Sequence, residues 1–155
     1  MKLTSQDLEL QLYRVRQLES NVTFQFSMIA KLMDNDALKL LADTPLTLTT
    51  YRLMRTVETF EAISIADLGR HMVTDNAQIS RAATDLASKD LVTFRGDPTN
   101  KRRKLVSLSP KGKALMDELT PRFKARREGV EACLGEQVIS DLHVSFAKLV
   151  QHFSD

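Results

Sequence analysis

Gln78 and Arg81 stand three residues apart, and further along the chain sets four basic residues in a row, Lys101-Arg102-Arg103-Lys104. A glutamine amide matches the edge of adenine and a guanidinium matches guanine, each through paired hydrogen bonds in a major groove. An arginine on a projecting turn suits the concentrated negative potential of a narrow minor groove. The surrounding charge points the same way. Residues 76–113 hold nine basic side chains (Arg81, Lys89, Arg95, Lys101, Arg102, Arg103, Lys104, Lys111, Lys113) against Asp85, Asp90 and Asp97, a local balance of +6. Over all 155 residues the balance is only +2, because the segments 1–46, 47–75 and 114–155 are each mildly acidic. A localised excess of this size is the footprint of a phosphate contact, which works by releasing counterions; taken alone, it equally fits a solvated charged loop.

These residues need elements to hold them. Ser64 can cap a short helix over Ile65–Met72, with Ile65, Leu68 and Met72 on one face. After a break at Val73-Thr74-Asp75, a second helix runs from about Asn76 to Lys89 and buries Ile79, Ala82 and Leu86. Two short helices joined by such a turn are the helix-turn-helix signature. Burying those positions turns Asn76, Ala77, Gln78, Ser80, Arg81 and Thr84 outward or sideways, and Asp85 is expected to face away from DNA or pair with a nearby arginine. Leu91–Arg95 and Lys104–Leu108 alternate as strands do, and Gly96-Asp97-Pro98-Thr99-Asn100 is a turn signal. The basic run Lys101-Arg102-Arg103 then sits at the tip of a hairpin.

The flanks read as helix. Leu8, Leu12, Val15, Val22, Phe26, Ile29 and Met33 follow 4-3 spacing across residues 5–40, in a helix broken at most once. Asp43-Thr44-Pro45 ends it, and Thr47 or Thr49 can cap a helix carrying Leu53, Met54 and Val57. Ser109-Pro110 starts a long helix bearing Leu115, Leu119, Phe123 and Val130. Gly135 interrupts it, and a last helix aligns Ile139, Leu142, Phe146, Leu149 and Phe153. The three apolar seams offer a surface for burial against a second copy.

The stretch Leu46–Leu115 resembles the MarR family of winged helix-turn-helix regulators. Leu46-Thr47-Leu48-Thr49-Thr50-Tyr51-Arg52-Leu53, Ile65-Ala66-Asp67-Leu68-Gly69 and Ile79-Ser80-Arg81 carry the likeness. The most specific part is Asp97-Pro98-Thr99-Asn100-Lys101-Arg102 running into Leu105-Val106-Ser107-Leu108-Ser109-Pro110-Lys111-Gly112. Asn100 departs from the pattern, since the family usually has there an Asp that braces the wing. The resemblance implies a mainly α fold with a small β-hairpin wing, in which the winged helix-turn-helix is flanked by N- and C-terminal dimerisation helices. It divides the chain into 1–46, 47–109 and 110–155. It also implies a homodimer whose recognition helices lie about 34 Å apart on a near-palindromic operator, with Arg102 in the minor groove. A small aromatic or phenolic effector is expected to release a repressor of this type; Arg16, Tyr51 and Arg52 are its candidate contacts. The competing reading is a winged-helix module that binds protein and never touches DNA.

Other chemistries find little footing. No phosphate loop, nucleophile elbow or paired-carboxylate motif is present, so no enzyme is expected. His71, His143 and His152 lack the spacing of a metal site, and neither metal nor cofactor is expected. The lone Cys133 excludes an internal disulfide and reads as a small buried apolar residue. With no secretory signal in 1–30 and no apolar run long enough to span a bilayer, the expectation is a cytoplasmic protein with no membrane partner.

Overall fold

The computed structural model describes residues 5–98 and 100–154, and of Leu8, Lys101 and Arg102 the backbone alone. The chain divides into two units, the first ending at Leu48 and the second beginning at Thr49.

The first unit is built on helices α1 (Ser5–Glu19) and α2 (Val22–Leu40). The break falls at Ser20-Asn21, because Asn21 takes an extended conformation and caps α2: its side-chain oxygen accepts from the Thr23 and Phe24 N–H groups at 3.0 and 3.1 Å. Two donors that a helix start would leave unmet are thereby satisfied. The described positions of the expected seam, Leu12, Val15, Val22, Phe26, Ile29 and Met33, are all exposed. So are Leu10, Leu18, Phe24, Met28 and Leu32, so the apolar surface is wider than a single 4-3 stripe. At the end of the unit the Thr44 hydroxyl donates to the Leu41 carbonyl at 2.8 Å and accepts from the Leu46 N–H at 3.3 Å, closing the turn before Pro45.

The second unit continues α3 (Leu48–Phe60) into strand β1 (Ile63–Ser64), α4 (Ile65–Met72), α5 (Asn76–Ser88), β2 (Val92–Asp97), β3 (Asn100–Leu108), α6 (Pro110–Leu134) and α7 (Glu136–Ser154). Its core gathers Leu53 and Met54 of α3, Leu68 of α4, Ile79 and Leu86 of α5, Val106 of β3, and Met116 and Leu119 of α6, all fully buried. Each such side chain contributes about 1.5–3 kcal/mol of transfer free energy. The three strands form an antiparallel sheet in the order β1-β3-β2, with Ile63 opposite Val106 and Val92 opposite Leu108. Sequence periodicity showed the hairpin but not β1, whose two residues are too few to alternate.

Where β2 leaves α5 and β3 enters α6, the chain is pinned. The Ser109 hydroxyl donates to the Asp90 carbonyl at 2.6 Å and accepts from the Gly112 N–H at 2.9 Å, while the Lys111 ammonium donates to the Lys89 carbonyl at 2.8 Å. Gly112 packs so closely on Leu91 that a Cβ there would overlap the Leu91 carbonyl. At the far end of α6, Gly135 adopts φ 81°, and α7 starts at the next residue. Cys133, in the last turn of α6, corrects an expectation: it is exposed. The side chains around it from Gly129 to Val138 are exposed as well, so no core reaches that turn.

Candidate nucleic-acid interface

α4 and α5 are set by their caps. Ser64 caps α4, accepting from the Asp67 N–H at 3.2 Å, and Asp75 caps α5, accepting from the Gln78 N–H at 2.9 Å. Between them Val73 takes a left-handed conformation that directs the Thr74 N–H to the Gly69 carbonyl at 2.9 Å. Such a conformation in a β-branched residue costs of order 1–3 kcal/mol. Ile79, Ala83 and Leu86 of α5 are buried, and Ala82, expected inside, is only half-buried. That rotation leaves Asn76, Ala77, Gln78, Ser80, Arg81 and Thr84 exposed.

The six are not equally available. The Asn76 side-chain oxygen lies over Gly69, where a Cβ would collide with it, so this residue is partly spent on seating α5 against α4. The Thr84 hydroxyl donates to the Ser80 carbonyl at 2.8 Å. Arg81 has no ion pair among the described residues. Asp85 pairs with Lys89 at 2.7 Å, one helical turn on, rather than with an arginine. The Asp75 carboxylate also places negative charge at the start of α5, which complements the helix dipole but disfavours a phosphate there. What this face leaves open to a partner is the Ala77 methyl, the Gln78 amide and the Arg81 guanidinium.

The wing is tighter than its sequence suggested. β2 runs on to Asp97 and β3 begins at Asn100, with a register shift between Gly96 and Asp97. The basic run 101–104 thus lies in the first half of β3 rather than within the turn. The side chains of Lys101 and Arg102 lie outside the described residues. Arg103 does not project freely: its guanidinium donates to the Asp67 carboxylate and, at 2.9 Å, to the Ser64 hydroxyl, with the buried Asp97 carboxylate 3.9 Å away. Asp67 also accepts from Arg70 and from the Ser64 hydroxyl. This cluster ties the wing to the start of α4. Sequence reasoning missed it. Ser64-x-x-Asp67 signals a cap, but its link to Arg103 depends on the pairing of β1 with β3.

A cavity of about 420 Å³ opens between α3 and the end of α4, lined by Thr49, Tyr51, Arg52, Arg55, Thr56, His71, Met72 and Thr74. Two of the candidate ligand contacts, Tyr51 and Arg52, are thus brought to one site, whereas Arg16 belongs to α1 of the first unit. The Tyr51 ring stacks on Phe123 of α6, centroids 3.9 Å apart and planes 14° from parallel. Burial raises the Tyr51 phenol above its ordinary pKa of 10.0; Glu58 adds to that shift, and Arg55 and Arg126 oppose it. At neutral pH this hydroxyl is a protonated hydrogen-bond donor.

Two helices joined by a capped turn, the second with an open polar face, followed by an antiparallel hairpin packed on the first, define a winged helix-turn-helix. Residues 46–104 match the model of the MarR family. The fold extends beyond the matched region in solved structures. A MarR family transcriptional regulator from Silicibacter pomeroyi superposes with a TM-score of 0.80 at 17% identity, covering 89% of this chain and 93% of that one. CouR from Rhodococcus jostii, solved with p-coumaroyl-CoA, gives 0.78 at 21% identity over 85% and 93%. A probable transcriptional regulator from Pseudomonas aeruginosa gives 0.66 at 26% identity over 85% and 98%. No curated protein matches the sequence.

Proposed function

We propose that this chain is a homodimeric DNA-binding transcription regulator that represses from a near-palindromic operator and is released by a small organic ligand. The observation that carries the reading is the open face of α5, where Gln78 and Arg81, the latter with no ion pair among the described residues, stand beside Ala77, in the same unit as a wing bearing the basic run. In this reading α5 enters the major groove and Gln78 and Arg81 read bases, with Ser80 and Thr84 at the groove wall. Arg102 enters the flanking minor groove, Lys101 neutralises phosphate, and Arg103 holds the wing in place. Residues 1–46 and 110–155 supply the dimer contacts and 47–109 the DNA contacts. The cavity at Tyr51 and Arg52 takes the effector; CouR, crystallised with p-coumaroyl-CoA, and NadR, crystallised with 4-hydroxyphenylacetate, are precedents of the same fold. In this reading the chain binds its partners without turning over a substrate, and it acts in the cytoplasm.

The test is selection from a random-sequence DNA library with the full chain, followed by titration of the recovered duplex. Two similar half-sites about one helical turn apart are expected. Replacing Gln78 or Arg81 with Ala should relax preference at one base pair per half-site, each at a cost of about 1–3 kcal/mol. Recovery of no sequence, with no DNA binding at low salt, would leave the protein-binding module as the better description.

A further inference from the structure

Val73 is out of place by every structural measure. It sits at φ 50°, ψ 47°, a conformation that glycine takes without a steric penalty and a β-branched residue resists. The other non-glycine residues with positive φ among those described are Glu61 and Asp90, neither of them branched at Cβ. Val73 is also 94% exposed, so its isopropyl group serves no packing. A glycine would end α4 equally well.

Its surroundings limit what such a group can meet. It lies in the turn that leads into α5, on an open concavity shared with Ala66, Gly69, Arg70 and Asn76. The adjacent charges are already engaged, Arg70 with Asp67 and Asp75 with the cap of α5. The Asp75 carboxylate disfavours a direct phosphate contact at this corner, and the exposed isopropyl group of Val73 can offer a base edge only an apolar contact. The one apolar group that base pairs present in the major groove is the C5-methyl of thymine. A β-branched side chain on a capped turn is held in few rotamers, so the contact needs little further ordering.

We propose that Val73 is a specificity-determining residue whose isopropyl group packs against a thymine methyl at one position of each half-site. This rests on the DNA-binding reading above. The test uses the duplex selected by the full-length protein, resynthesised with deoxyuridine in place of each thymidine in turn, which removes only the methyl. At one symmetric position the wild-type protein should lose about fourfold in affinity, the worth of one buried methyl group. Val73→Gly should bind that position equally well with or without the methyl, and its Tm should be unchanged or raised. Val73→Ala should fall between the two in its response to the methyl. The proposal is overturned if wild type and Val73→Gly respond alike to every deoxyuridine. It is overturned equally if Val73→Gly lowers Tm, since the isopropyl group would then serve the fold. Failure of the wild-type chain to select or bind any DNA removes the DNA-binding reading itself, and this proposal with it.

Discussion

Asp67 of α4 anchors the wing. It closes the cap of α4 with Ser64 and receives both Arg70 and Arg103, although only about a fifth of its side chain reaches solvent. Partial shielding should make its pairing with Arg103 stronger than an ordinary surface ion pair. A double-mutant cycle with Asp67→Ala and Arg103→Ala, followed by urea unfolding, should return a coupling of about 1 kcal/mol. In DNA titrations Arg103→Ala should weaken binding while leaving its salt dependence unchanged, because its guanidinium is engaged by Asp67 and Ser64. Arg102→Ala should instead reduce the slope of log K against log salt by about one. Tyr51 gives a pH prediction. Its folded pKa lies above 10.0, so the stability it supports is complete below that value and falls as pH rises toward the folded pKa. Thermal melts above pH 10 should show a steeper loss for wild type than for Tyr51→Phe. Gln78, Arg81 and Tyr51 stood out in the sequence because their chemistry is intrinsic to the residue type. The role of Arg103 did not, because a carboxylate 36 residues away decides it.

The helices were largely legible. Ser64, Ser109-Pro110 and Gly135 are local punctuation, and the observed α4, α6 and α7 begin or end at them. The spacing over 5–40 allowed one break without locating it, since Asn21 capping depends on a backbone turn that apolar spacing does not report. The sheet was harder to read. Strand β1 exists only because Ile63 and Ser64 find β3, and the ends of β2 and β3 are set by a bulge that alternation cannot reveal. Gly112 tests the element scale. Its close approach to Leu91 leaves no room for a methyl group, so Gly112→Ala should destabilise the second unit by about 1–3 kcal/mol in chemical denaturation. Gly129→Ala, on the same helix with open space around it, should not destabilise it.

At the scale of the whole molecule the exposed apolar surface dominates. Exposed Leu, Ile, Val, Met and Phe side chains run along α1 and α2, and α7 exposes Val138, Val144, Phe146, Val150 and Phe153 with no fully buried residue. Sedimentation should find a dimer at micromolar concentration, and Tm should rise with protein concentration, because dissociation accompanies unfolding. A folded monomer under those conditions would count against the dimer. The junction around Ser109 bears on how such an assembly moves. Asp90, Leu91 and Lys89 are clamped to the first turn of α6 by the Ser109 hydroxyl, the close-packed Gly112 and the Lys111 ammonium. Three such contacts stiffen this joint. A tilt imposed on the base of α6 is then expected to reach the tail of α5 as torque, with little taken up between them.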